Sequence, residues 1–241
     1  MNLIEGKKLV KNFKNKQVIQ GIDFEIRQGE ILALIGPNGV GKSTTIAMLL
    51  GILPPDGGTI SYWRNDYKEH IGAQLQSTPF FEGYSARENL KLFGALYHTN
   101  LNNAELEKKL SDCHLQDAGK TPAVKLSIGQ QKRLAIGVTT VNQPELVVLD
   151  EPTAGLDPRS RHEIKEMIGG LAKNNQTVLF SSHDMEEVEK LADRLIFMNH
   201  GKIMDQGRPG ELIEKHQVEN LEMLYLKLTE KNEGEKNEYD L

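Results

Sequence analysis

An α/β fold with a buried parallel sheet and a phosphate-binding loop at one strand end is predicted by three observations. The first is the stretch 31–44, ILALIGPNGVGKST, which reads as an apolar strand, a glycine-rich loop and the start of a helix. The second is a pair of further apolar runs, Leu146–Leu149 and Thr177–Phe180. Each is short and apolar on both faces, as strands of a covered parallel sheet are, and each ends in polar residues: Asp150-Glu151 and Ser181-Ser182-His183. The third is the helical stretch 86–143, which interrupts the strand–helix alternation and reads as an inserted subdomain.

Composition limits the alternatives. The chain has 241 residues, a formal net charge of −5, 38% hydrophobic residues and 26% charged ones. That suits one large globular domain, or a domain with a subdomain. One cysteine, Cys113, cannot form an internal disulfide, which fits a reducing compartment. No apolar run approaches the roughly 20 residues of a membrane span, and the first residues, MNLIEGKKLVKNF, lack the apolar core of a signal peptide. The acidic balance argues against nucleic acid as the main partner.

Taken in order, Val18-Ile19 and Ile22–Ile26 read as antiparallel strands, with Gly21 and Gln28-Gly29 as punctuation. Phe13 stands alone among Lys and Asn and offers either a core side chain or a flat, partly exposed ring for stacking. A helix is expected over 42–51, a turn at Pro54–Gly58, a strand over Thr59–Trp63 and another over Ile71–Leu75. The loop 77–85, STPFFEGYS, carries Phe80, Phe81 and Tyr84. Helices follow over Arg87–Tyr97 and Asn103–Cys113. Ser127 is the expected N-cap of a helix containing Arg133, Leu134, Ile136 and Val138. Leu195–Met198 and Lys202–Met204, joined at His200-Gly201, read as an edge hairpin. Val218, Leu221, Leu224, Tyr225 and Leu228 mark a terminal amphipathic helix. Lys231–Leu241 is charged and expected to fray.

The chemistry begins at Gly36, Gly41, Lys42 and Ser43, which fit the phosphate-loop spacing G-x-x-x-x-G-K-[ST]. Glycines let backbone N–H groups approach phosphate oxygens closely. The following helix adds its unpaired N–H groups and positive dipole end. Gly36, Pro37, Asn38, Gly39, Val40, Gly41, Lys42, Ser43 and Thr44 are therefore the predicted phosphate cradle. Lys42 reaches the β- and γ-phosphates and Ser43 is a Mg²⁺ ligand. Asp150, after its apolar strand, is the carboxylate that helps hold Mg²⁺, and Glu151 is placed to orient or deprotonate an attacking water. Two carboxylates at a strand end can also be plain solvated turn residues.

With LSIGQ at 126–130 between the phosphate loop and the Asp-Glu strand, the chain resembles the nucleotide-binding domains of ABC (ATP-binding cassette) transporters over nearly its whole length. The pentapeptide looks like the LSGGQ signature, with Ile128 in place of the usual glycine. The resemblance implies a P-loop NTPase with a RecA-like core, an antiparallel β subdomain and an inserted helical subdomain. It implies an ATPase domain over 1–228, with the core at 1–85 and 144–228 and the signature subdomain at 86–143, then a disordered tail at 229–241. It also implies roles: Phe13 stacking on adenine, Gln76 (or, less well matched, Gln74) contacting Mg²⁺, Asp157 at a dimer interface and His183 near the γ-phosphate. Ser127, Gly129 and Gln130 are expected to meet the nucleotide of a second copy. ATP and Mg²⁺ are the implied ligands, with Glu151, His183, Lys42 and Gln76 carrying the chemistry.

The expected function is ATP hydrolysis that powers a membrane transporter, an exporter of the bacterial drug, antibiotic or polysaccharide type. The implied partners are a second nucleotide-binding domain and a separate permease chain, at the cytoplasmic face of a bacterial membrane, with Phe80, Phe81 and Tyr84 in the groove for a permease helix. The competing readings are a non-transport ABC ATPase acting on DNA, ribosomes or cluster assembly, and a regulatory subunit without turnover. Glu151 disfavours the last.

Overall fold

A computed structural model describes residues 1–14, 16–75 and 80–230. In chain order the elements are β1 (Asn2–Phe13), β2 (Lys16–Arg27), β3 (Ile31–Ile35), α1 (Lys42–Leu49), β4 (Gly57–Tyr62), β5 (Ile71–Gln74), α2 (Ala86–Leu96), α3 (Asn103–Asp112), α4 (Ile128–Thr139), β6 (Leu146–Asp150), α5 (Pro158–Lys173), β7 (Thr177–Ser182), α6 (Met185–Leu191), β8 (Arg194–Asn199), β9 (Lys202–Gly207), α7 (Pro209–His216) and α8 (Leu221–Glu230). The α/β class, with antiparallel and parallel strands and helices, is the predicted one.

Two compact units emerge, Met1–Asn65 with Ser181–Leu241, and Asp66–Phe180. In the first, β2, β1 and β4 form an antiparallel sheet in that order. The two short strands expected at 18–26 are one long β2. Gly21, expected to interrupt them, sits inside it at φ 75°, and the mismatch is absorbed by register shifts along β1 between Gly6 and Val10. In the same unit β3 pairs in parallel with β8, from Leu32 opposite Arg194 to Ile35 opposite Phe197. Both strands are buried throughout, as their unbroken apolar runs require. The Arg194 guanidinium clasps the Glu30 carboxylate through two hydrogen bonds of 2.8 and 3.0 Å in a nearly dry setting, and the Ile31 N–H donates to Asp193. These contacts fix where β3 starts, and so where its end delivers the loop. The β8–β9 hairpin turns at His200-Gly201, both at positive φ (46° and 73°), the geometry a tight hairpin needs. On α8, Leu221, Leu224 and Leu228 are buried, as their spacing predicts. That helix takes in Thr229 and Glu230, and 231–241 lies outside the described residues.

In the second unit β5 pairs in parallel with β6, which neighbours β7. Helices α2, α3 and α4 each start at a capping box: Ser85 with Glu88, Asn102 with Glu105, and Ser127 with Gln130. Helix α5 has no counterpart in the sequence reading, although Asp157-Pro158 carries an N-cap followed by proline at the first helical position.

Candidate functional site

In the first unit the loop from Gly36 to Gly41 joins the end of β3 to the start of α1. Gly36 has φ 148° and Gly41 φ 109°. A Cβ on Gly36 would lie 2.1 Å from the Met198 carbonyl oxygen, so the loop leaves β3 tight against the end of β8, where no side chain fits. A Cβ on Gly41 would lie 2.5 Å from the Ile19 side chain of β2. No side chain caps α1, and the Thr45 N–H is the donor to the Gly41 carbonyl at 2.8 Å. A helix N-terminus with no side-chain cap favours an incoming anion.

The Lys42 ammonium folds back over the loop and donates to the Gly36 and Pro37 carbonyls at 2.7 and 3.2 Å. Ser43 is exposed, Thr44 half-buried, and Asn38 and Gly39 face outward, while Val40 is buried beneath them. The loop therefore has a hydrophobic underside and a polar rim of backbone amides, hydroxyls and one ammonium.

Phe13 ends β1 with its ring 46% exposed, too open for a core residue. The Lys11 ammonium lies 5.8 Å from the ring centroid and is itself anchored by Asp56 and the Pro54 carbonyl. His183 follows β7 in the same unit and is exposed. Its neighbours hold it: the buried Ser182 hydroxyl donates to Glu187 at 2.7 Å and accepts the Asp184 N–H, while Asp184 caps α6.

The second unit carries Asp150, Glu151, Ser127, Gly129, Gln130 and Asp157. Asp150 ends β6 at 4% exposure, and Glu151 follows with φ 51°, in the left-handed region that only a few per cent of non-glycine residues adopt. Ser127 and Ile128 are exposed at the start of α4, with Ile128 66% exposed. Gly129 is buried beneath them: a Cβ there would lie 2.3 Å from the Ser160 hydroxyl oxygen on α5. Gln130 closes the cap by accepting the Ser127 N–H at 3.0 Å and donating its own N–H to the Ser127 hydroxyl at 3.2 Å. Asp157 caps α5, accepting from the Ser160 N–H and hydroxyl at 3.0 and 2.6 Å, and these bonds hold its carboxyl below the usual range.

Sequence reasoning missed Lys132. Its ammonium reaches from α4 to the backbone carbonyls of Glu151 (3.1 Å) and Ala154 (2.8 Å). Its neighbour Arg133 forms a buried ion pair with Glu163 of α5.

Gln76 lies outside the described residues. Gln74, the other candidate, is a strand residue opposite Leu149 with a side chain 3% exposed. In the loop before α2, Phe81 and Tyr84 are 44% and 48% exposed with ring centroids 6.1 Å apart, and Phe80 is half-buried. The buried Asn89 amide holds this loop, accepting from the Phe81 N–H and donating to the Phe81, Tyr84 and Ser85 carbonyls. The oxygen donors of Ser43 and Asp150 suit a hard divalent cation such as Mg²⁺. Among the described residues there is no cluster of three or more His, Cys, Asp or Glu side chains able to hold a metal. Such a protein cage is not what Mg²⁺ on a nucleotide uses, since phosphates and water supply the other ligands.

The ABC transporter family profile matches residues 19–154. The Nod factor export ATP-binding protein I of Sinorhizobium fredii is 37% identical over 223 residues, covering 88% of this chain and 64% of the relative. The linearmycin resistance ATP-binding protein LnrL of Bacillus subtilis is 34% identical over 225 residues, covering 88% of this chain and 71% of the relative. The chain thus spans just under two thirds of the first of these. Among solved structures, the ATP-binding subunit of an ABC transporter superposes with a TM-score of 0.82 at 26% identity, over 94% of this chain and 99% of that one. The CbiO1 protein of Clostridium perfringens, part of the ABC transporter complex CbiONQ, gives 0.77 at 30% identity, over 90% and 92%.

Proposed function

The chain belongs to the ABC transporter family, and from that membership we propose that it binds and hydrolyses ATP to drive a membrane exporter. The observation that carries the reading is the Gly36–Gly41 loop, shaped so that no Cβ fits at its first glycine, with Lys42 folded over it.

The backbone N–H groups of the 36–44 stretch, Pro37 excepted because it has none, donate to the β- and γ-phosphates. Lys42 exchanges its two carbonyl partners for phosphate oxygens, a charge-assisted contact stronger than the one it leaves. Phe13, with an exposed face, stacks on the adenine. A bound Mg²⁺ supplies screening of the phosphate charge, and Ser43, Asp150 and Gln76 are the residues that would hold it. Glu151 orients the attacking water and accepts its proton, and His183 donates a hydrogen bond to the γ-phosphate. Catalysis is then mostly positioning and charge stabilisation.

The exposed Ser127, with Gly129 and Gln130, meets the nucleotide of a second copy, where the N-terminus of α4 adds a further positive dipole end. Asp157 borders that interface. Among the described residues no helix is long and apolar enough to cross a membrane. The relatives' names as ATP-binding proteins of an export or resistance system support a separate permease chain, with this subunit at the cytoplasmic membrane face. The exposed rings of Phe81 and Tyr84, with Phe80, support a groove for a permease helix. The relatives' names, a Nod factor exporter and a linearmycin resistance protein, support export as the direction.

The test is Glu151→Gln. Turnover should fall by about 10²–10⁴-fold, the usual share of a general base. ATP affinity should stay within twofold of wild type, and ATP should trap a dimer visible by light scattering. Wild-type turnover, or a chain monomeric with ATP both in solution and on its permease, overturns the reading.

A further inference from the structure

We propose that Lys132 is a positioning residue for Glu151, fixing the backbone of the catalytic carboxylate to the signature helix of the same chain. The inference rests on the role given above to Glu151 and adds to it how that residue is held.

Glu151 occupies the left-handed region, φ 51°. For a glutamate this conformation is unfavourable and persists only where the surroundings over-determine it. The turn's own bond is long: the Ala154 N–H donates to the Glu151 carbonyl at 3.3 Å. The Lys132 ammonium donates to that same carbonyl at 3.1 Å and to the Ala154 carbonyl at 2.8 Å, bridging both ends of the turn. An ammonium suits the task because it has three donors and no acceptor, so converging carbonyls satisfy it. With the two carbonyls pinned, the peptide plane after Glu151 cannot flip, and the side chain leaves the turn in one direction.

Two neighbouring contacts on α4 make this a latch. Gly129 lies so close to Ser160 that a Cβ there would stand 2.7 Å from the Ser160 Cβ, and Arg133 pairs with Glu163. Helix α4 therefore touches the 151–163 segment at three successive places, with Lys132 in the middle. Displacement of the exposed Ser127 end, where a second copy's nucleotide binds, is carried by the same rigid helix to the Glu151 carbonyl. This gives the signature of one site a mechanical grip on the water-orienting residue of the other.

Lys132→Met keeps the aliphatic stem and removes the donors; Lys132→Arg restores them. Steady-state ATP hydrolysis by the full chain should show kcat at least tenfold lower for Lys132→Met, with KM and the affinity for a fluorescent ATP analogue within twofold of wild type. Lys132→Arg should recover most of kcat. Amide exchange at residues 151–156 should accelerate in the Met variant alone. A Met variant whose kcat stays within twofold of wild type overturns the proposal, as does a loss confined to KM or a loss that Arg does not recover. If Lys132→Met fails to fold, Lys132→Gln is measured against the same limits, and wild-type kcat there overturns the proposal equally. Glu151→Gln run in parallel separates the two layers. If it is inactive while Lys132→Met is normal, only the positioning role fails. If it turns over normally, the role of Glu151 itself fails.

Discussion

At the scale of single residues, two glycines are steric requirements. Gly36→Ala would drive a methyl into the Met198 carbonyl; backbone cannot step aside cheaply, so ATP binding by isothermal titration should be lost. Gly129→Ala would meet Ser160, a side chain with little freedom because its hydroxyl is bonded to Asp157. Overpacking of this kind costs about 1–3 kcal/mol, which urea unfolding should register. Adding Ser160→Gly should recover part of the loss. Lys42, Ser43, Asp150 and Glu151 are candidates that the sequence puts forward, because the chemistry proposed for them is tied to local spacing. Lys132 could not, because its partners are backbone carbonyls 19 and 22 residues away, and a carbonyl has no signature in a sequence.

At the scale of elements, the caps place the signature. Ser127→Ala removes the acceptor for the Gln130 N–H and should cost about 1 kcal/mol of stability, read as a lower urea midpoint. Asp157→Ala should do the same for α5. Helix α7 is held to β9 by Asp205, which accepts from Lys215 at 2.8 Å and lies 2.6 Å from His216 Nε2. Partial burial pushes that carboxyl up, but the bonds to His216 and Lys215 outweigh it and the net shift is downward. The folded value lies below the unfolded one, so the stabilisation is complete above the ordinary carboxylate value of about 4. It is lost as pH falls through the folded value. Asp205→Asn should therefore unfold more readily than wild type at pH 7 by thermal denaturation, and the difference should shrink as the pH is lowered below about 4. Helix α5 shows why some elements escaped sequence reading. Its cap was visible at Asp157-Pro158, but Asp157 was also matched to a dimer interface, and one residue carried both signals.

At the scale of the whole molecule, the proposed permease contact is open to test. Phe80→Ala combined with Phe81→Ala should abolish stimulation of ATP hydrolysis by the permease while basal hydrolysis stays within twofold; loss of basal hydrolysis or of folding counts against the contact. The α/β class, the phosphate loop, the signature and the buried strands were all determined by the sequence itself, because each depends on spacing within about fifteen neighbouring residues, where backbone geometry links residue type directly to shape. Tertiary structure decided the rest: that 18–26 is one strand with a glycine inside, that Gly36 abuts the end of β8, that Gly129 rests on Ser160, and that an ammonium from α4 holds the turn at Glu151. These are meetings between segments distant along the chain, and they follow from how buried surfaces close over one another, which local spacing does not encode.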